Sequence, residues 1–144
     1  MLGIALARLP PGSADVALVV DRLQHELFVA QTELAAPPGS PPPPARIEER
    51  HVTRLEADLD ALSAKLPPLR TFVLSRGAGG AAELQFARTV ARRAERELWT
   101  LHRSTPQRSE ILRWSNRLSG LLFALALAAN HGQGIREVPP DYSA

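Results

Sequence analysis

The sequence predicts an all-α protein: an antiparallel helical bundle of four long helices plus a short N-terminal helical stub. Apolar residues step by three and four through four separate stretches, each marking one buried helix face. Proline and glycine clusters at 10–12, 37–44, 67–68 and 75–80 interrupt the pattern where helices must stop. The one strand-like run, Leu69 to Leu74, has no second run to pair with. With 144 residues, 44% of them hydrophobic and 22% charged, the chain reads as one domain, 1–144, able to bury a core.

Residues 2–9 can form two helical turns before Pro10-Pro11-Gly12 stops them. From about Ser13, a plausible N-cap, to Leu34, a helix would bury Val16, Val20, Leu23, Leu27, Ala30 and Leu34. Residues 37–44, PPGSPPPP, are read as a stiff, extended polyproline-type interhelical linker; an SH3-type ligand is the other use of such a stretch. The next helix spans about Arg46 to Lys65, with Val52, Leu55, Leu59, Leu62 and Leu66 inside and Pro67-Pro68 ending it. LRTFVL is an extended connector, and SRGAGG, 75–80, is a glycine loop opening the following helix. Such loops can cradle phosphate, but this one lacks the P-loop lysine and spacing.

The helix from Ala81 to Leu101 organises the chain. Leu84, Ala87, Ala91, Ala94, Leu98 and Leu101 form its inner stripe, while Arg88, Arg92, Glu95 and Trp99 step by four, three and four on another face. Like charges one turn apart cost an isolated helix a few tenths of a kcal/mol, so an anion facing Arg88 and Arg92 is one explanation. The ordinary explanation is a charged surface, with Arg93 paired to Glu97, Arg92 reaching Glu95, and Arg96 solvated. Thr105-Pro106 reads as N-cap and N1 of the last helix. That helix would bury Ile111, Trp114, Leu118, Leu121, Leu125 and Ala128 and end at Gly132 or Gly134, before a flexible tail at 135–144.

Charge and composition narrow the function. Net charge is +2, yet 13–66 holds nine acids against five bases and 88–117 eight bases against three acids, which favours a localised anion site. Absence of cysteine excludes disulfides and thiolate chemistry and fits a cytoplasmic protein. His25, His51, His102 and His131 are scattered without ligand spacing, so no metal site is expected, and the longest apolar run is about half a membrane span. No nucleic-acid motif is present; Trp99 and Trp114 are read as core.

ARTVARRAERELW followed by RWSNRLSGLLFALALAAN resembles the ATP:cob(I)alamin adenosyltransferases of the propanediol-utilisation type, which carry ARTV.RRAER and YLNRLSD.LF.LAR.AN in that order. RIEERHVTRLEADLDALSAKLPPLRTFVL is similar to the family's preceding segment, so the likeness covers most of 23–130. The resemblance implies a homotrimer binding ATP and a corrinoid near subunit boundaries. Cob(I)alamin attacks the 5′ carbon of ATP and expels triphosphate, with Mg²⁺ carried on the phosphates and no protein nucleophile. By motif position Arg92 would be the catalytic residue holding triphosphate, and Arg88 would sit at the subunit boundary. Glu95 and Asn116 would orient the nucleotide with Arg117 close by. Phe72 and Phe123 would line the apolar corrinoid pocket.

The sequence departs from the family in three places. MLGIALARL is similar to only the tail of the family's first helix, without the preceding Thr/Lys/Gly-rich ATP-binding segment. Ser75-Arg76 stands where the family has Pro-Gly, and Gly120 where it has the aspartate of NRLSD. The alternative expectation is therefore a catalytically degenerate homologue that keeps the bundle as a corrinoid- or nucleotide-binding or assembly module.

Overall fold

The computed structural model describes residues 1–37 and 39–143; Pro38 of the linker and Ala144 of the tail lie outside the described residues. It is all-helical over those residues: α1 (Leu2–Arg8), α2 (Ala14–Ala35), α3 (Glu49–Lys65), α4 (Ala81–Ser104) and α5 (Ser109–Gly132). Cross-helix contacts fix the directions. Glu33 meets Arg108 and Glu26 meets Trp114, so α2 and α5 run antiparallel. α4 and α5 do too, since only residues 105–108 separate them and Glu95, well inside α4, meets Asn116, well inside α5, whereas Glu49–Arg113 and Glu56–Arg117 make α3 and α5 parallel. Consecutive long helices thus alternate up and down, as their connections require.

The centre of the bundle is α5. It packs most extensively on α4 and α3 and also on α2, while α1 bridges α2 and α4. Buried residues lie around most of its circumference, among them Ile111, Trp114, Leu118, Leu121, Leu122, Leu125, Ala126 and Ala129. A helix apolar on most sides has to be surrounded.

Several local expectations change. The last helix begins at Ser109, because Thr105 closes α4 through an N–H bond to the Leu101 carbonyl (2.7 Å). Arg108 is meanwhile drawn to the Glu33 carboxylate (3.1 Å) and the Ile47 carbonyl (2.8 Å). Burial works against the Arg108 charge, but hydrogen bonds and charge from Glu33 and Glu110 raise its pKa overall. The second long helix begins at Glu49, since Ile47 is fully buried and donates its N–H to Glu33 (2.7 Å). A Glu48–His51 capping box follows. Ser13 occupies the N-cap of α2 without a side-chain cap bond. The linker is not extended throughout: Gly39 has φ +79°, and Ser40 turns back to the Pro37 carbonyl (3.1 Å). At the other end, Leu74 donates to the Val138 carbonyl (2.8 Å) and Asn130 to Glu137 (2.9 Å), fastening 137–138 to the bundle.

The glycine loop is a packing device. Gly80 caps α4 at φ +87°, and a Cβ there would lie 2.8 Å from the Ala5 carbonyl and 2.9 Å from Leu9. A Cβ on Gly77 would lie 2.4 Å from Asn130 Oδ1. Gly80→Ala is therefore expected to lower stability by about 1–3 kcal/mol, read as a lower urea midpoint at unchanged slope.

Candidate functional site

The site lies where α4 meets α5. Glu95, only 6% exposed, is the hinge of a three-residue chain: Arg92 Nη1 donates to its Oε2 (2.5 Å) and Asn116 Nδ2 to its Oε1 (2.7 Å). A buried carboxylate with both oxygens engaged is held in one rotamer and holds its donors in turn. Arg92 remains half exposed, with Nη2 and Nε unengaged by the described residues.

One turn towards the N-terminus of α4, Arg88 lies with its guanidinium carbon 5.3 Å from the centre of the Phe123 ring. Its Nε donates to Gln85 Oε1 (3.2 Å) and its Nη2 approaches Ser75 Oγ (3.4 Å). The contact to Ser75 ties the connector carrying Phe72 to α4. Phe72 itself is 82% exposed.

The structure thus brings together Arg92, Glu95 and Asn116, and places Arg88 over Phe123 beside them. Arg117 is turned the other way, donating to Glu56 of α3 (3.0 Å). Asn116 and Arg117 are adjacent in sequence, and a rotation of about 100° per residue sends one to α4 and the other to α3.

An apolar groove of about 480 Å³ adjoins the site between α2 and α4, bordered by Leu27, Phe28 and Leu34 on one side and Ala91, Ala94 and Leu98 on the other. It explains why Ala94 is exposed despite lying on the predicted inner stripe: α2 does not close on α4 there. Leu101, on the same stripe near the end of α4, is also exposed. Trp99 also departs from expectation. It is 43% exposed and meets His102 edge-on at 5.5 Å, whereas Trp114 is buried. The Arg93–Glu97 pair is not formed among the described residues, and Arg96 donates to the Arg92 carbonyl (3.3 Å). His51 and His102 each use Nδ1 to accept a backbone N–H, from Glu48 and Gln107 (both 2.9 Å). Among the described residues no three His, Cys, Asp or Glu side chains form a metal-ligand group, and no helix is long and apolar enough to cross a membrane.

A family model described as cobalamin adenosyltransferase matches residues 1–129. The chain belongs to the cobalamin adenosyltransferase family. It is 41% identical over 133 residues to the corrinoid adenosyltransferase of Mycobacterium tuberculosis, spanning 90% of this chain and 68% of that one. Identity to the Bacillus subtilis corrinoid adenosyltransferase is 37% over 145 residues, spanning 99% and 74%. Among solved structures, an F-to-A variant of the PduO-type ATP:corrinoid adenosyltransferase of Lactobacillus reuteri, complexed with cobalamin and ATP, matches with a TM-score of 0.88. Its identity is 26% over 96% of this chain and 77% of that one. An R-to-K variant of the same protein complexed with ATP matches equally well, with a TM-score of 0.88, 26% identity and 97% and 78% coverage.

Within this adenosyltransferase bundle, Gln85 is a partner of Arg88 that the sequence did not single out, and Ser75, noted above only as a departure from the family's Pro-Gly, is another. Gln85 and Arg88 stand at i and i+3, a visible signal, but helix spacing alone does not reveal that the pair is buried on one side. Gly120, where the family motif has aspartate, causes no strain: a Cβ there meets only Leu59, at 3.8 Å. Gly120→Ala is accordingly expected to raise stability by about 0.5–1 kcal/mol, seen as a higher thermal midpoint.

Proposed function

We propose that this chain is a corrinoid adenosyltransferase, transferring the 5′-deoxyadenosyl group of ATP to cob(I)alamin with release of triphosphate. The observation that carries the proposal is the Arg92–Glu95–Asn116 chain with Arg88 one turn away, on a bundle of this family. It supplies fixed cationic donors at a partly buried surface and no nucleophile. That is what a displacement between two bound substrates needs: positioning, and neutralisation of the leaving polyphosphate.

In this reading the free N–H groups of Arg92 hold triphosphate, while Glu95 and Asn116 keep that arginine and the nucleotide in register. Arg117, engaged by Glu56, steadies α5 against α3 and reaches ATP only by leaving that partner. Mg²⁺ arrives on the phosphates. Phe123 and the exposed Phe72 form the apolar wall against the corrinoid, which supplies the cobalt nucleophile when bound. The phenylalanine and arginine changed in the Lactobacillus reuteri variants lie 20 positions apart, as do Phe72 and Arg92. The assembly is a homotrimer in the cytoplasm, with Arg88 at the subunit boundary and the corrinoid pocket completed by a neighbouring copy.

Calorimetric titration with Mg²⁺·ATP tests the nucleotide half of the proposal. Saturable binding that weakens at least tenfold in Arg92→Ala is expected; no binding by the folded parent would contradict it.

A further inference from the structure

The connector that carries Phe72 is fastened at one end only. Leu69, Phe72 and Leu74 are all exposed, and a cavity of about 300 Å³ separates its start, Leu66 to Leu69, from Leu127 and His131 of α5 and Ile135 of the tail. Burial therefore does little to fix it. Among the described residues its hydrogen bonds to the rest of the chain gather at the far end: Leu74 N–H donates to the Val138 carbonyl (2.8 Å), and Arg88 Nη2 approaches Ser75 Oγ (3.4 Å).

Immediately beyond, two amides from the end of α5 grip the glycine loop. Asn130, 1% exposed, donates from Nδ2 to the Arg76 carbonyl (3.3 Å) and to Glu137 Oε1 (2.9 Å), so one side chain joins α5, the loop and the tail. Gln133, one turn on, donates from Nε2 to the carbonyls of Ala78 (3.3 Å) and Ala129 (2.9 Å). Each amide oxygen faces a glycine: a Cβ on Gly77 would run into Asn130 Oδ1, and one on Gly79 would lie 2.7 Å from Gln133 Oε1. Asn130 Oδ1 is buried with no hydrogen-bond partner among the described residues. Burying an amide in this way is costly, and an apolar side chain would fill the space without that cost; what the amide adds is its grip through Nδ2.

We propose that Asn130, seconded by Gln133, is a positioning residue for the corrinoid wall: the end of α5 clamps the loop at 76–79 and the tail at 137–138, and the connector fastened to both holds Phe72 in place. An exposed aromatic has no packing of its own to fix its backbone, so its value as a wall depends on such anchors. Neither amide touches ATP or the corrinoid; both act through the connector backbone. Arg92, Glu95 and Asn116 are held within α4 and α5 by their own hydrogen bonds, so loosening the clamp acts on the corrinoid side of the site and spares the nucleotide side. This inference rests on the corrinoid reading of Phe72 above.

Two variants test it. Asn130→Asp keeps the size of the side chain and removes its donor; Gln133→Ala removes the second grip at a half-buried position and decides the matter should an aspartate at 130 prevent folding. Both are compared with the parent in chains that retain its helical circular dichroism. Trypsin cleavage after Arg70 and Arg76, exposed on either side of Phe72, reports on the connector. It is expected to quicken about tenfold, the local opening that loss of one or two hydrogen bonds allows. The KM for cob(I)alamin is expected to rise about tenfold while the KM for Mg²⁺·ATP changes by less than about twofold. Unchanged cleavage in the folded variants would overturn the clamp. Faster cleavage with an unchanged KM for cob(I)alamin, or with both KM values raised alike, would overturn the positioning role. A parent without adenosyl transfer, whose connector is nonetheless cut faster in the variants, would uphold the clamp and overturn the corrinoid reading instead.

Discussion

Arg92→Ala is expected to lower adenosyl transfer by about 10²–10³-fold while leaving the bundle folded. The rate effect is that of removing a preorganised donor from the place where negative charge collects on the leaving group. The small structural effect follows from exposure. The Arg92 side chain is half exposed, and Glu95 retains Asn116, so the stability cost stays near 1 kcal/mol. Arg92→Lys keeps the charge but loses the guanidinium fork, and an intermediate rate is expected. Steady-state kinetics beside urea unfolding separate the two effects: a folded Arg92→Ala with the parent's rate would remove Arg92 from the triphosphate site.

The largest stability effect is expected at Glu26, far from Arg92 in role. Glu26 is 5% exposed; it accepts from Trp114 Nε1 (2.9 Å) and forms an ion pair with Arg22, whose Nε lies 2.9 Å from its Oε1, and Arg22 also pairs with Asp58 of α3. One carboxylate therefore joins α2, α3 and α5. Glu26→Ala leaves a buried indole N–H without its acceptor and a mostly buried guanidinium with one anion fewer, and about 3 kcal/mol of stability should be lost. Glu26→Gln keeps an acceptor of the same size and should cost less than half as much. The urea midpoint decides: a change below about 0.5 kcal/mol in Glu26→Ala would show the network to be idle.

These residues show how far the sequence could be read. Helix periodicity placed the long helices because each must bury a face, and the Arg92–Glu95 contact was visible as an i, i+3 pair. The Glu95–Asn116 bond joins two helices, so its partners came from motif resemblance and its geometry only from packing. Glu26 shows the limit most clearly. It reads as one of many surface acids on α2, and only the docking of Trp114 and Arg22 makes it a buried hub. The start of α5 was misplaced for a similar reason: Thr105-Pro106 is a good local start signal, but Glu33 and Ile47, distant in sequence, draw Arg108 into the N-cap position. The exposure of Ala94, in turn, depends on where α2 stops short of α4, which no local pattern records.

The central claim is that this helical bundle positions ATP against a reduced corrinoid. The direct measurement is anaerobic formation of adenosylcobalamin by the purified chain from Mg²⁺·ATP and cob(I)alamin, with the inorganic product identified. The account predicts adenosylcobalamin and intact triphosphate in equal amounts. A folded chain that binds Mg²⁺·ATP yet forms no adenosylcobalamin would contradict it and leave a nucleotide-binding homologue.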